Sequence, residues 1–194
     1  MNIFNHLNIA RTTLQAIEKE VSVRLDPMAF RYGNIKPDIS PSLFRIPHIK
    51  KSAMDFIKGE IKELVNYEMS AFPKCTKEFS QKLGIIMHFL SDFFCFVHSP
   101  HYTGSEFNHY VYEMHLSSYW IRNSGAPKMV NPLPQVPINP DYSSICGYIE
   151  EMYEQYLKGP MSYATDKSYT LAVCSSVSLA VITACLMKDL PIAA

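Results

Sequence analysis

The sequence predicts an all-α fold: a single-domain, multi-helix bundle with long connecting loops and a polynuclear metal site. Apolar residues recur at helical spacing through most of the chain, and no stretch of any length alternates as a strand would. Proline-rich segments separate those helical stretches. Metal-binding types of side chain punctuate a strongly apolar one of them. With 194 residues, 47% of them hydrophobic, the chain is long enough to bury a substantial core, and residues 1–194 read as one domain.

Taken in order, Asn5 or Asn8 is placed to cap a first helix running to about Val23, with Ile9, Leu14 and Ile17 on its buried face. Arg24 to Pro47 contains enough Pro, Gly, Asp and Ser to predict a long loop that presents side chains over a rigid bundle. Ser52 to about Phe72 is helical and stops near Pro73. Lys50, Lys51 and the segment from Lys58 to Lys62 give it a mildly basic, solvated face. The next helix carries Leu83, Ile86, Met87, Leu90, Phe94 and Val97 along one stripe, with Phe89, Phe93 and Phe96 filling much of the rest. A helix apolar nearly all round belongs at the centre of the bundle.

Ser99 to Asn108, with Pro100 and Gly104, turns the chain back antiparallel, and a helix continues through Tyr110 to about Ile121. Asn123 to Pro140, with five prolines, reads as a connection rather than a gating lid. Tyr142 to Leu157 and Ser168 to Met187 complete the bundle. Tyr169 to Met187 has no charged residue and meets the length criterion for a membrane span. Its serines and threonines, and the lack of basic flanks on a clear side, favour a buried bundle helix.

The chemistry concentrates in His88-Phe-Leu-Ser-Asp92-Phe-Phe-Cys-Phe-Val-His98, followed by His109-Tyr-Val-Tyr-Glu113. At about 100° per residue, His88, Asp92 and His98 fall within roughly 120° of arc on one helix. Burying two imidazoles and a carboxylate without partners costs several kcal/mol. His88 and His98 are about 15 Å apart along a straight axis and cannot share one ion unless the helix breaks. Two metals, with Asp92 nearer the first, is the simpler arrangement. His109 and Glu113, at i and i+4, share a helix face and can chelate one ion. Any one of these residues alone would more often be a helix cap or a carbonyl partner; the five together point to a polynuclear zinc site. Manganese, iron and cobalt are also compatible with imidazole and carboxylate donors.

The pattern His-x3-Asp-x5-His followed by His-x2-Tyr-Glu resembles the signature of the bacterial zinc-dependent phospholipase C family. Upstream, His6-Leu-Asn-Ile-Ala-Arg resembles that family's first histidine block, and Gly33-Asn-Ile-Lys-Pro-Asp38 followed by His48 resembles its Asp and His ligands. The likeness spans His6 to Glu113. Phe96 departs from it, since many members place proline there, which puts the helix bend before His98 in question. Fungal single-strand nucleases share the fold, but their second block ends in Asp, so Glu113 favours the phospholipase branch.

The resemblance implies one zinc held by Asp38, His48, His88 and Asp92, and a second by His98, His109 and Glu113. A third would use His6, a bridging Asp92 and the amine and carbonyl of Met1, giving two to three ions in all. Asp38 is implied as general base or as the group that orients the attacking water. The implied reaction is hydrolysis of the glycerol–phosphate bond of a phospholipid by a metal-activated water. A single-strand nuclease or nucleotidase of the same fold, and a noncatalytic helical module that keeps metal for stability, are the alternatives. Phe44, Tyr67, Phe93, Tyr102 and Phe107 are candidates to shape a pocket for a lipid or choline-like head group.

Eighteen basic and eighteen acidic residues leave no net charge to attract nucleic acid, which disfavours it as a partner. A phospholipid or other phosphodiester is the expected substrate, with transient contact at a membrane surface. Five cysteines without a CxxC pair argue against a disulfide framework and for a reducing compartment. The start Met1-Asn2 lacks the basic and apolar pattern of a signal peptide, so a cytoplasmic location is expected ahead of a secreted or membrane-associated one.

Overall fold

A computed structural model describes residues 1–68, 75–123 and 139–188, and among them the ordered elements are helices. The first, α1 (Ile3–Glu20), begins earlier than Asn5 because the Asn2 side chain accepts from the Asn5 N–H at 3.1 Å, capping an otherwise unpaired donor. Its inward face carries His6, Ile9, Ala10, Thr13, Leu14 and Ile17 at helical spacing.

The segment expected to be a loop from Arg24 to Pro47 is instead helical over Pro27–Ile39, here α2. Asp26 caps it by accepting from the Ala29 N–H at 2.8 Å, and Pro27 lies at its start, where the missing N–H would have had no partner. Gly33 serves close packing rather than a turn. A Cβ added there would lie 2.2 Å from the Gln81 carbonyl oxygen and 2.9 Å from the Cα of Gly84, on the next helix but one. Gly33→Ala is therefore expected to cost about 3 kcal/mol or more, since the obstruction is backbone that side-chain repacking cannot relieve. Urea denaturation of the two proteins checks this.

The third helix, α3 (Lys50–Val65), buries Ala53, Met54, Ile57, Ile61 and Leu64 and ends before the expected Phe72. Residues 69–74 lie outside the described residues. Part of its lysine face is tied rather than solvated, for Lys50 and Lys58 both pair with Glu150.

Thr76 caps α4 (Lys77–Phe93), whose residues from Leu83 to Phe93 are all buried, as its all-round apolar character predicts. It packs against α1, α2 and α3. The helix does not continue to His98. Cys95 turns extended, with φ −121° and ψ 127°, and Phe96–His98 forms one 3-10 turn. The chain thus bends here without the proline whose absence put the bend in question.

Ser105 caps α5 (Glu106–Arg122), and Asp141 and Ser144 form a reciprocal capping box at the start of α6 (Tyr142–Lys158). The expected connection between them lies mostly in residues 124–138, outside the described residues. The last helix, α7 (Tyr163–Lys188), is long and apolar enough to cross a membrane. Of its most apolar window, 61% is buried against the rest of the bundle, mainly α1, α3, α4 and α6, as expected of a core helix.

Candidate metal centre

Four separate stretches of backbone aim side chains at one end of α4. His88 and Asp92 are one turn apart on that helix, His6 comes from the first turns of α1, Asp38 from the last turn of α2, and His48 from the segment leading into α3. The break after Phe93 brings His98 to the same place, and α5 supplies His109 and Glu113. All nine residues predicted as metal ligands, Met1 included, converge.

Asp92 is the hub. Its Oδ2 lies 3.1 Å from His48 Nδ1 and 3.3 Å from His88 Nε2, while Oδ1 lies 3.6 Å from His6 Nε2 and 3.7 Å from His98 Nε2. It is nearer His48 and His88, as expected, yet faces the His98 side as well. Asp38 stands opposite, 3.6 Å from His88 Nε2, 3.7 Å from His48 Nδ1 and 3.9 Å from His6 Nε2. On the other side, Glu113 Oε1 is 2.8 Å from His109 Nε2 and 3.1 Å from His98 Nε2. The Met1 amine pairs with Asp92 and lies 2.9 Å from His98 Nε2 and 3.3 Å from Glu113, while the Met1 carbonyl oxygen is 3.0 Å from His6 Nε2.

Hydrogen bonds behind the imidazoles fix which nitrogen faces inward. His88 Nδ1–H donates to the Asn34 carbonyl at 2.8 Å, leaving the Nε2 lone pair directed at Asp92. The Ser91 hydroxyl spends its proton on the His88 carbonyl at 2.7 Å, so at 3.1 Å it accepts from His6 Nδ1–H and leaves His6 Nε2 basic. The sequence marks neither Asn34 nor Ser91 as a functional residue. Ser91 had one available signal, its place beside Asp92, whereas Asn34 acts through a backbone carbonyl and had none.

The electrostatics favour neutral imidazoles and charged carboxylates. Burial drives His6 well below the ordinary histidine value, His88 down to about 3, and His98 down as well. Burial alone would raise Asp92 and Glu113, but the Met1 ammonium and the surrounding histidines outweigh it and hold both low. Asp38 is the exception, pushed up to about 6 by burial and by the neighbouring Asp92 charge.

These residues fit a cation. His6, His88 and Asp92 are fully buried, and Asp92 Oδ2 has no hydrogen-bond donor of its own. Inward lone pairs beside a buried carboxylate oxygen that accepts no hydrogen bond are costly unless positive charge faces them. Among the described residues, ligand atoms gather in three sets, each within 4.8 Å: Asp38, His48 and His88; His98, His109 and Glu113; and His6, His88 and Asp92. The model of the zinc-dependent phospholipase C family matches residues 5–186. The chain belongs to the zinc-dependent phospholipase C family. Comparison with curated proteins and with solved structures gives no match.

The aromatic residues expected near a phospholipase C pocket divide. The Tyr102 ring meets His109 edge-on at 5.8 Å, and Phe44 and Phe107, near His48 and His109 in the chain, are strongly exposed. Phe93 is core. Tyr67 bonds Thr76 at 2.7 Å at the far end of α4, about 18 Å along the helix from His88, and does not border the site.

Proposed function

We propose that the chain hydrolyses phosphodiesters as a phospholipase C, releasing a phosphorylated head group and the glycerol alcohol of a phospholipid. The observation that carries this reading is Asp92, one carboxylate facing two histidine sets, an arrangement suited to bridging two cations. Bound there, zinc would attract the nonbridging phosphate oxygens, acidify a water and stabilise the departing alkoxide.

The protein's part is to hold that geometry and move the proton. His48, His88, Asp38 and Asp92 would hold one ion and His98, His109 and Glu113 another; His6, the shared Asp92 and the amine and carbonyl of Met1 would hold a third. Asp38 is less buried than Asp92 and is the carboxylate placed to meet solvent. Its raised pKa falls when cations are near, so it would be ionised at neutral pH and able to orient or deprotonate the attacking water. That water adds to phosphorus, the glycerol–phosphate bond breaks, and the glycerol oxygen leaves with a proton. Exposed Phe44 and Phe107, close in the chain to His48 and His109, support contact with a lipid surface.

Turnover of phosphatidylcholine vesicles, a soluble choline phosphodiester and single-stranded DNA tests the substrate. Turnover of the vesicles ahead of the others is expected; cleavage of DNA alone would replace this reading with a nuclease. A flexible tag fused before Met1 is expected to lower the metal count by one, because its amide cannot carry the amine's lone pair. Elemental mass spectrometry on tagged and untagged protein reads this directly.

A further inference from the structure

The break between α4 and the 3-10 turn is what delivers His98, and its cause lies far away in the chain. Phe94, the last residue with an α-helical bond into α4, makes a stretched N–H contact of 3.4 Å with the Leu90 carbonyl. Two residues on, the Phe96 N–H has left the helix and donates to Asp166 Oδ2 at 3.0 Å. One turn further along α7, the Thr170 hydroxyl donates to the Phe94 carbonyl at 3.4 Å. One face of α7 therefore takes up polar groups on both sides of the break. Without those partners the buried Phe94 carbonyl and the half-buried Phe96 N–H would be unpaired, and the continuous helix would compete.

Asp166 does more than accept that N–H. It is fully buried, and it also accepts from the Tyr112 hydroxyl at 2.9 Å on Oδ2 and from the Tyr156 hydroxyl at 2.8 Å on Oδ1. Tyr112 immediately precedes Glu113, and its ring packs against Phe96 at 5.5 Å. One carboxylate thus ties the turn that ends in His98 to the stretch of α5 that carries Glu113, and both to α6. A buried carboxylate is an expensive way to fill space; three well-placed donors repay it, and they fix a geometry that an apolar residue would leave free.

We infer that Asp166 is a positioning residue for the His98–His109–Glu113 set, holding that corner in ligand geometry before any metal arrives. This rests on the metal-dependent function proposed above. It touches no ligand atom itself and acts through the Phe96 N–H and Tyr112.

The test is zinc release to a chromogenic chelator, followed in time, with His109→Ala identifying which phase belongs to this corner. In Asp166→Ala that phase is expected to quicken about tenfold or more, with the other phases within about threefold of the parent. Asp166→Asn should stay near the parent, because its amide oxygen still accepts from Phe96 and Tyr112 and its NH2 can donate to the Tyr156 hydroxyl. An unchanged His109-dependent phase in folded Asp166→Ala would overturn the inference. So would equal acceleration of every phase, which marks a general core residue.

Should Asp166→Ala not fold, amide hydrogen exchange in the chelator-stripped parent decides. Protection of the Phe96 N–H by about a hundredfold or more without zinc supports the inference; free exchange until zinc is added overturns it. If the parent binds no zinc at all, the proposed function fails while the exchange result still reports whether the turn is held.

Discussion

Asp92→Asn is expected to lower the metal content by at least one ion per chain and turnover by about a thousandfold or more, the loss that several kcal/mol of charge stabilisation implies. The expectation follows from position rather than from charge alone. Its two oxygens lie 3.1 to 3.7 Å from His48, His88, His6 and His98, so neither Asp38 nor Glu113 touches as many of the candidate ligands. The amide would turn an NH2 donor toward the cations on one side and bring no negative charge on either. Elemental analysis with circular dichroism separates this from unfolding: helicity should survive while zinc is lost. A folded variant with the parent's metal content would show that Asp92 is only a core acid paired with the Met1 amine.

Asp38→Ala separates binding from chemistry. Turnover is expected to fall by about 10² to 10⁴, the range for loss of a general base, with most of the metal retained on His48, His88 and Asp92. The pairing of the two outcomes is what matters. Asp92 is buried among its partners, whereas Asp38 is partly exposed and its burial raises it to about 6, the environment of a group that exchanges protons rather than one that only anchors charge. Steady-state turnover and zinc content measured on one preparation check it. Full activity in this variant would mean that the attacking water is activated without Asp38.

The helical class and the ligand blocks were legible because both are local patterns. His88 and Asp92, and His109 and Glu113, are one helical turn apart, and that spacing survives whatever the rest of the chain does. What was not legible depends on distant partners. Gly33 reads as a loop signal until Gly84 is seen against it, and with Asp26, Pro27 and Pro37 it made α2 look like an irregular segment. The break after Phe93 has no local breaker, since its partners are Asp166 and Thr170 on α7. A straight helix would have parted His88 from His98 by about 15 Å, so the one element misread there is the one that joins two ligand sets into a single centre. Asp38 and His48 were found only through the resemblance to a family, because the turn of backbone between them shows no metal-binding spacing of its own.

The most direct test of this account is the metal content per chain of untagged protein purified without chelator or added metal, by elemental mass spectrometry. Two to three zinc ions per chain are expected. A folded, helical protein containing none would mean that the convergent histidines and carboxylates serve only the core, and would contradict a metal-dependent function for this chain.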